Sequence, residues 1–116
     1  MAPADRNSWK TLPCPYERER FELPLLFLDA EGERMRKGHI PQDMDDKWFI
    51  FFENGWLYFH RSRTGACIYG LRLDGSPHGV RVIEGWVSRD REHYNSPGIE
   101  QDKKMVQQLI GSRLLA

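Results

Sequence analysis

A chain of 116 residues with 17 basic and 17 acidic side chains has the length of one domain and no net charge. That balance removes the positive excess on which general nucleic-acid binding depends. The longest apolar stretch, Leu23 to Leu28, is interrupted by Pro24 and is far too short to span a bilayer, so no membrane association is expected.

Residues 1–20 carry Pro3, Pro13 and Pro15 without a clean hydrophobic period. They predict an irregular lead-in that packs on the core through Trp9, Leu12 and Tyr16. Charges at Asp5, Arg6 and Lys10, with no apolar core between them, argue against a secretory leader. The expected location is therefore cytoplasmic, with Cys14 and Cys67 both reduced and acting as small core hydrophobes. Phe21 to Leu28 reads as a strand broken or pushed to an edge by Pro24. Residues 29–46 read as a long loop, with Asp29, Gly32, Gly38 and Pro41 as breakers and no period that demands more than one helical turn.

The centre of the chain is the most informative segment. Lys47 to Glu53, Asn54-Gly55 and Trp56 to Ser62 form a hairpin signal, because Asn-Gly supplies the positive φ angles of a type I′ turn. That loop sets Glu53 opposite Trp56. Trp48, Ile50 and Phe52 then share a face with Leu57, Phe59 and Arg61, and Phe49 and Phe51 share the other with Tyr58 and His60. Both faces are largely apolar, so the hairpin belongs inside the sheet and is covered on both sides. A third strand follows at Ala66 to Leu73, then a loop from Asp74 to Gly79, then a fourth strand at Val80 to Val87. Ser96-Pro97 predicts the N-cap and first residue of a helix. Met105, Val106, Leu109, Ile110 and Leu114 form its apolar stripe, and Gly111 weakens its end.

These elements predict an α+β fold in a single domain over 1–116. The lead-in occupies 1–20. A two-layer antiparallel β-meander of four to five strands occupies 21–87, and a C-terminal amphipathic helix (96–115) packs on one face.

The candidate site lies where the central hairpin ends. His60, Arg61, Ser62, Arg63 and Thr64 lead through a tight turn to Gly65, and between residues 60 and 72 there are three arginines (61, 63, 72) and no acid. Guanidinium forks, hydroxyls and turn N–H groups together suit an anion, with Trp56 or Tyr58 stacking on a ring nearby. The structural alternative is that Arg61 and Arg63 pair with Asp43, Asp45, Asp46 or Glu53. No metal and no cofactor are expected. His39, His60, His78 and His93 are scattered, and the acidic group Glu31, Glu33, Asp43, Asp45 and Asp46 lacks calcium-loop spacing. Cys67 within a strand is poorly placed for a nucleophile, although His60 lies on a neighbouring rung.

The run Asp45-Asp46-Lys47-Trp48-Phe49, then Gly55-Trp56-Leu57-Tyr58-Phe59-His60-Arg61-Ser62, then Thr64-Gly65, resembles a family of small, poorly characterised bacterial proteins. Some of its members carry names connected with ADP-ribosyl hydrolases. The resemblance covers about residues 44–73, and Arg63 stands where the family pattern has an aromatic. No aspartate motif of the metal-dependent ADP-ribosylglycohydrolases is present. The resemblance implies a bacterial protein with a nucleotide-like or ADP-ribose-like ligand.

The function expected from these residues is a small cytosolic binding or accessory module for an anionic, phosphate-bearing ligand. Two alternatives stand beside it. One is an interaction or regulatory protein, antitoxin-like, that uses an aromatic sheet face toward a protein partner or a second copy. The other is a small hydrolase that uses His60.

Overall fold

In the computed structural model, which describes residues 3–116, Asn54 and Gly55 take φ angles of 52° and 90°. They turn β3 (Trp48–Glu53) back along β4 (Trp56–Arg61). Glu53 pairs with Trp56 and Trp48 with Arg61, the register of a two-residue primed turn. β5 (Cys67–Ser76) and β6 (Gly79–Ser88) extend the antiparallel meander. β1 (Arg18–Phe21) and β2 (Leu26–Phe27) both pair with β6. The sheet therefore has six strands rather than four or five, in the order β1-β6-β5-β4-β3 with β2 beside β6, so the central hairpin ends the sheet with β3 at its edge instead of lying inside it. Pro24 falls in the break between β1 and β2, and both lie at one edge.

Three boundaries differ from those expected. The lead-in ends at Glu17, because Arg18 already pairs with Ser88. The loop from Asp74 to Gly79 shrinks to Pro77-His78, since Asp74, Gly75 and Ser76 continue the β5 ladder opposite Arg81, Val80 and Gly79. The segment read as a loop from residue 29 contains α1 (Asp29–Arg36). Only Gly32 and Met35 of α1 are buried, so it has no apolar stripe to read. Gly32 acts there as a contact surface: a Cβ on it would lie 2.4 Å from Val80 Cγ2. The Glu31 carboxylate accepts the Leu28 N–H at 2.9 Å and secures the first turn.

α2 (Ile99–Leu109) runs into a π-helical turn, Ile110–Leu114, that contains Gly111. Val106, Leu109, Ile110 and Leu114 are buried in one cluster with Phe59, Tyr69 and Leu71 of the sheet. Met105 of the expected stripe is 40% exposed instead. Ser96 does not cap the helix. Its hydroxyl donates to Asp102 Oδ2 at 2.5 Å, and Gly98 occupies the cap position. Among the described residues, no helix is long and apolar enough to cross a membrane.

Residues 3–17 form a strap on the opposite face of the sheet. Ala4 packs with Phe49 and Phe51. Further along, the strap docks on the turn that follows β4. Trp9 Nε1 donates to the Ser62 carbonyl at 2.8 Å, Lys10 Nζ to the Arg63 carbonyl at 3.2 Å, and the Leu12 N–H to the Gly65 carbonyl at 2.8 Å. Gly65, at φ +80°, permits this approach, since a Cβ there would lie 2.9 Å from Lys10 Cγ.

Candidate functional site

The structure does not bring the seven residues singled out in the sequence to one place. His60 is 1% exposed and lies beside the Phe49 and Phe51 rings. Its Nδ1 bonds the Gly65 carbonyl at 2.8 Å. Burial pushes the imidazole below its ordinary value, only partly offset by that bond. A neutral ring sealed in this way is out of reach of a substrate. Arg61 emerges on the other face, its guanidinium 4.7 Å from the Trp48 ring centroid.

Several polar groups of the turn are engaged within the protein. Ser62 Oγ donates to the Asp46 carbonyl at 2.9 Å, and Thr64 Oγ1 accepts the Ala66 N–H at 3.1 Å. The N–H groups of Arg61, Ser62 and Gly65 bond the carbonyls of Ala66, Lys47 and Arg61. The carbonyls of Ser62, Arg63 and Gly65 accept hydrogen bonds from the strap. Among the described residues no carboxylate pairs with Arg61 or Arg63: Asp46 is used by His39 at 2.6 Å and Arg113 at 3.2 Å, Glu53 by Arg6 at 2.5 Å, and Asp43 accepts the N–H groups of Asp45 and Asp46. Arg63 is exposed and borders a cavity of about 410 Å³ with Trp9, Pro41, Asp43 and Met44.

Trp56 and Tyr58 do come together, in a groove of about 400 Å³ on the strap side of the sheet. Its floor is Trp86, which lies across Gly70 of the neighbouring strand; a Cβ on Gly70 would lie 2.4 Å from the indole. Arg18 and Arg20 of β1 form one wall. The Arg18 guanidinium stands 5.1 Å from the Trp86 ring centroid. Arg20 bonds Glu84 at 2.7 Å, and Arg72 reaches the same carboxylate at 4.0 Å. Burial first, and then negative charge at Cys14, raise the Tyr58 phenol, which keeps it a protonated donor. Sequence reasoning missed Arg18, Arg20 and Trp86. The signal was there in Arg18-x-Arg20, because period-two spacing in a strand puts both guanidinium groups on one face.

A second polar cluster holds the helix to the sheet. Asp102 is fully buried and accepts from Tyr94, from Ser96 and, at 3.3 Å, from Tyr69. Arg89 approaches it at 3.5 Å while bonding Glu19 at 2.6 Å. Burial, the Asp102 hydrogen bond and its charge push the Tyr94 phenol up to about 12, so Tyr94 stays a donor throughout the neutral range. This constellation ties β5, the 89–98 connection and α2 together, which is a structural role.

No protein-family model, curated protein or solved structure matches the chain, so any function has to be argued from the groove and the surfaces around it.

Proposed function

We propose that the chain is a small binding or accessory module, resident in the cytoplasm, that takes an anionic, phosphate-bearing ligand with a planar ring. The class is nucleotide-like or ADP-ribose-like. The observation that carries this reading is the meeting of exposed Arg18 and Arg20 with half-buried Trp56 and Tyr58 around one groove. Guanidinium forks hold phosphate oxygens in pairs, and aromatic faces receive a ring at low entropic cost.

The charges bordering the groove favour an anion. Arg18, Arg20 and Arg72 face one carboxylate, Glu84, which already engages the latter two. Among the described residues Arg18 has no carboxylate partner, so it is the guanidinium that meets the phosphate. Tyr58 donates a hydrogen bond, and Trp56 stacks. Arg61 holds the other sheet face, and Arg63 the edge of the strap.

Tryptophan fluorescence tests the reading, because Trp56 and Trp86 both line the groove. Titration with ADP-ribose and adenine nucleotides should give a saturable change, and Arg18→Ala should weaken the apparent Kd at least tenfold while Arg63→Ala leaves it unchanged. Equal affinity in wild type and Arg18→Ala would remove the groove from consideration.

A second reading rests on the other cavity. Met44 is 82% exposed and Trp9 41% exposed beside Arg63, which suits a protein partner. A complex lost in Met44→Asp and indifferent to Arg18→Ala would favour that reading.

A further inference from the structure

Cys14 and Cys67 are 53 residues apart in sequence, yet their sulfur atoms lie 4.0 Å from each other. The strap is fixed on both sides of Cys14. Upstream the Leu12 N–H holds the Gly65 carbonyl at 2.8 Å, and downstream Arg18 enters the sheet opposite Ser88. Pro13 and Pro15 flank Cys14 and stiffen the short span between these anchors. The two thiols differ in environment: Cys14 is exposed, and Cys67 is buried in β5. A cavity of about 270 Å³, lined in part by Pro13, Cys14 and Cys67, opens beside the pair. A hydroperoxide has room there. Closing the sulfurs to a bond requires roughly 2 Å of movement, within what side-chain rotation and a short strap supply.

We infer that Cys14 and Cys67 form a peroxide-responsive dithiol in which Cys14 attacks the oxidant and Cys67 resolves the product as an intramolecular disulfide. The Cys67 S–H donates toward the Cys14 sulfur. That hydrogen bond, opposed by partial burial and aided by the charges of Arg18 and Arg6, brings the Cys14 thiol down to about 6. The hydrogen bond to Cys14, and then burial, push Cys67 up, so it stays a thiol.

In the first step the Cys14 thiolate attacks one oxygen of the peroxide. The O–O bond breaks, an S–O bond forms, and the departing hydroxide or alkoxide takes a proton from solvent. Cys14 is now a sulfenic acid. In the second step the Cys67 sulfur attacks the Cys14 sulfur. The S–O bond breaks, an S–S bond forms, and the Cys67 proton leaves with the hydroxyl as water. Two thiols are oxidised, and one peroxide is reduced to two molecules of water or to water and an alcohol. The disulfide staples the strap to β5 beside the groove.

The test uses the full chain treated with one to two equivalents of hydrogen peroxide, followed by alkylation and intact-mass analysis. The expected product is a monomer 2 Da lighter that no longer alkylates, is reversed by a reductant, and yields a Cys14–Cys67 linked peptide. Cys67→Ser should stop at a sulfenic acid on Cys14 that dimedone traps, and Cys14→Ser should leave Cys67 reduced. Two alkylatable thiols in the treated wild type would overturn the inference. So would dimers joined through Cys14 alone, or dimedone labelling of wild type equal to that of Cys67→Ser. Circular dichroism of each variant separates a missing reaction from a missing fold.

Discussion

Trp9 and Ser62 are joined by a hydrogen bond of 2.8 Å from the indole N–H to a backbone carbonyl. That bond belongs to a set of three through which the strap takes up the outward carbonyls of the turn after β4. A segment whose composition suggests an anion-binding turn is thus the docking point for the first residues of the chain. Trp9→Phe keeps an aromatic ring, smaller than the indole, and removes the donor. The expected cost is about 1 kcal/mol, seen as a lower Tm, together with faster alkylation of Cys67 as the strap loosens. An unchanged Tm and alkylation rate would mean that the strap is held elsewhere.

Gly70 and Trp86 depend on each other, because a Cβ at residue 70 would overlap a rigid, buried indole. Gly70→Ala should destabilise the chain by roughly 1–3 kcal/mol and deform the groove floor. In the Trp86→Ala background the same substitution should cost much less, and a double-mutant cycle by urea unfolding measures the coupling. Additive effects would show that the two sites are independent.

The fold was legible where local chemistry and tertiary packing agree. Asn54-Gly55 fixed a hairpin whose register the structure reproduces pair by pair from Glu53–Trp56 to Trp48–Arg61, and the stripe from Val106 to Leu114 located the second layer. The first helix was hidden because its only buried residues are Met35 and a glycine that looks like a breaker until Val80 is seen against it. Ser96 looked like a cap because nothing in sequence reveals that its hydroxyl is drawn to Asp102. The candidate site was half legible. Trp56 and Tyr58 were found from the aromatic run. Arg18 and Arg20 were not, because strand pairing with β6, across 64 or more residues, brings them to the groove.

Asp102 concentrates three hydroxyl donors and one guanidinium on a fully buried carboxylate. Asp102→Asn removes the charge that Arg89 faces and offers an amide to hydroxyls that need an acceptor. The expected loss is about 3 kcal/mol, a fall in Tm on the order of 10 °C. Differential scanning calorimetry reads it directly, and a fall of a degree or less would contradict the assigned role.

His60 makes stability depend on pH in a definite direction. Its native pKa lies below the ordinary imidazole value because of burial. Between about pH 6.5 and that lower value, the unfolded chain binds a proton that the native state does not. Stability therefore falls as pH falls through this window, by at most about 1.4 kcal/mol per unit. Urea unfolding of His60→Gln should show a flatter profile there. Asp46 acts in a separate, more acidic window: although burial opposes it, the hydrogen bond and charge of His39 and the charge of Arg113 hold its carboxyl below the ordinary value. The stability that Asp46 adds above about pH 4 is lost as pH falls through its native value.

The most direct test of the groove is thermal unfolding against ADP-ribose, adenine nucleotides, inorganic phosphate and nicotinamide dinucleotides, in wild type, Arg18→Ala and Arg63→Ala. A ligand at a hundred times its Kd adds about 2.7 kcal/mol, which for a domain of this length is a shift of several degrees. The account predicts such a shift for a ring-bearing phosphate in wild type and Arg63→Ala, and its loss in Arg18→Ala. A flat panel, or a shift that survives Arg18→Ala and disappears in Arg63→Ala, would contradict it.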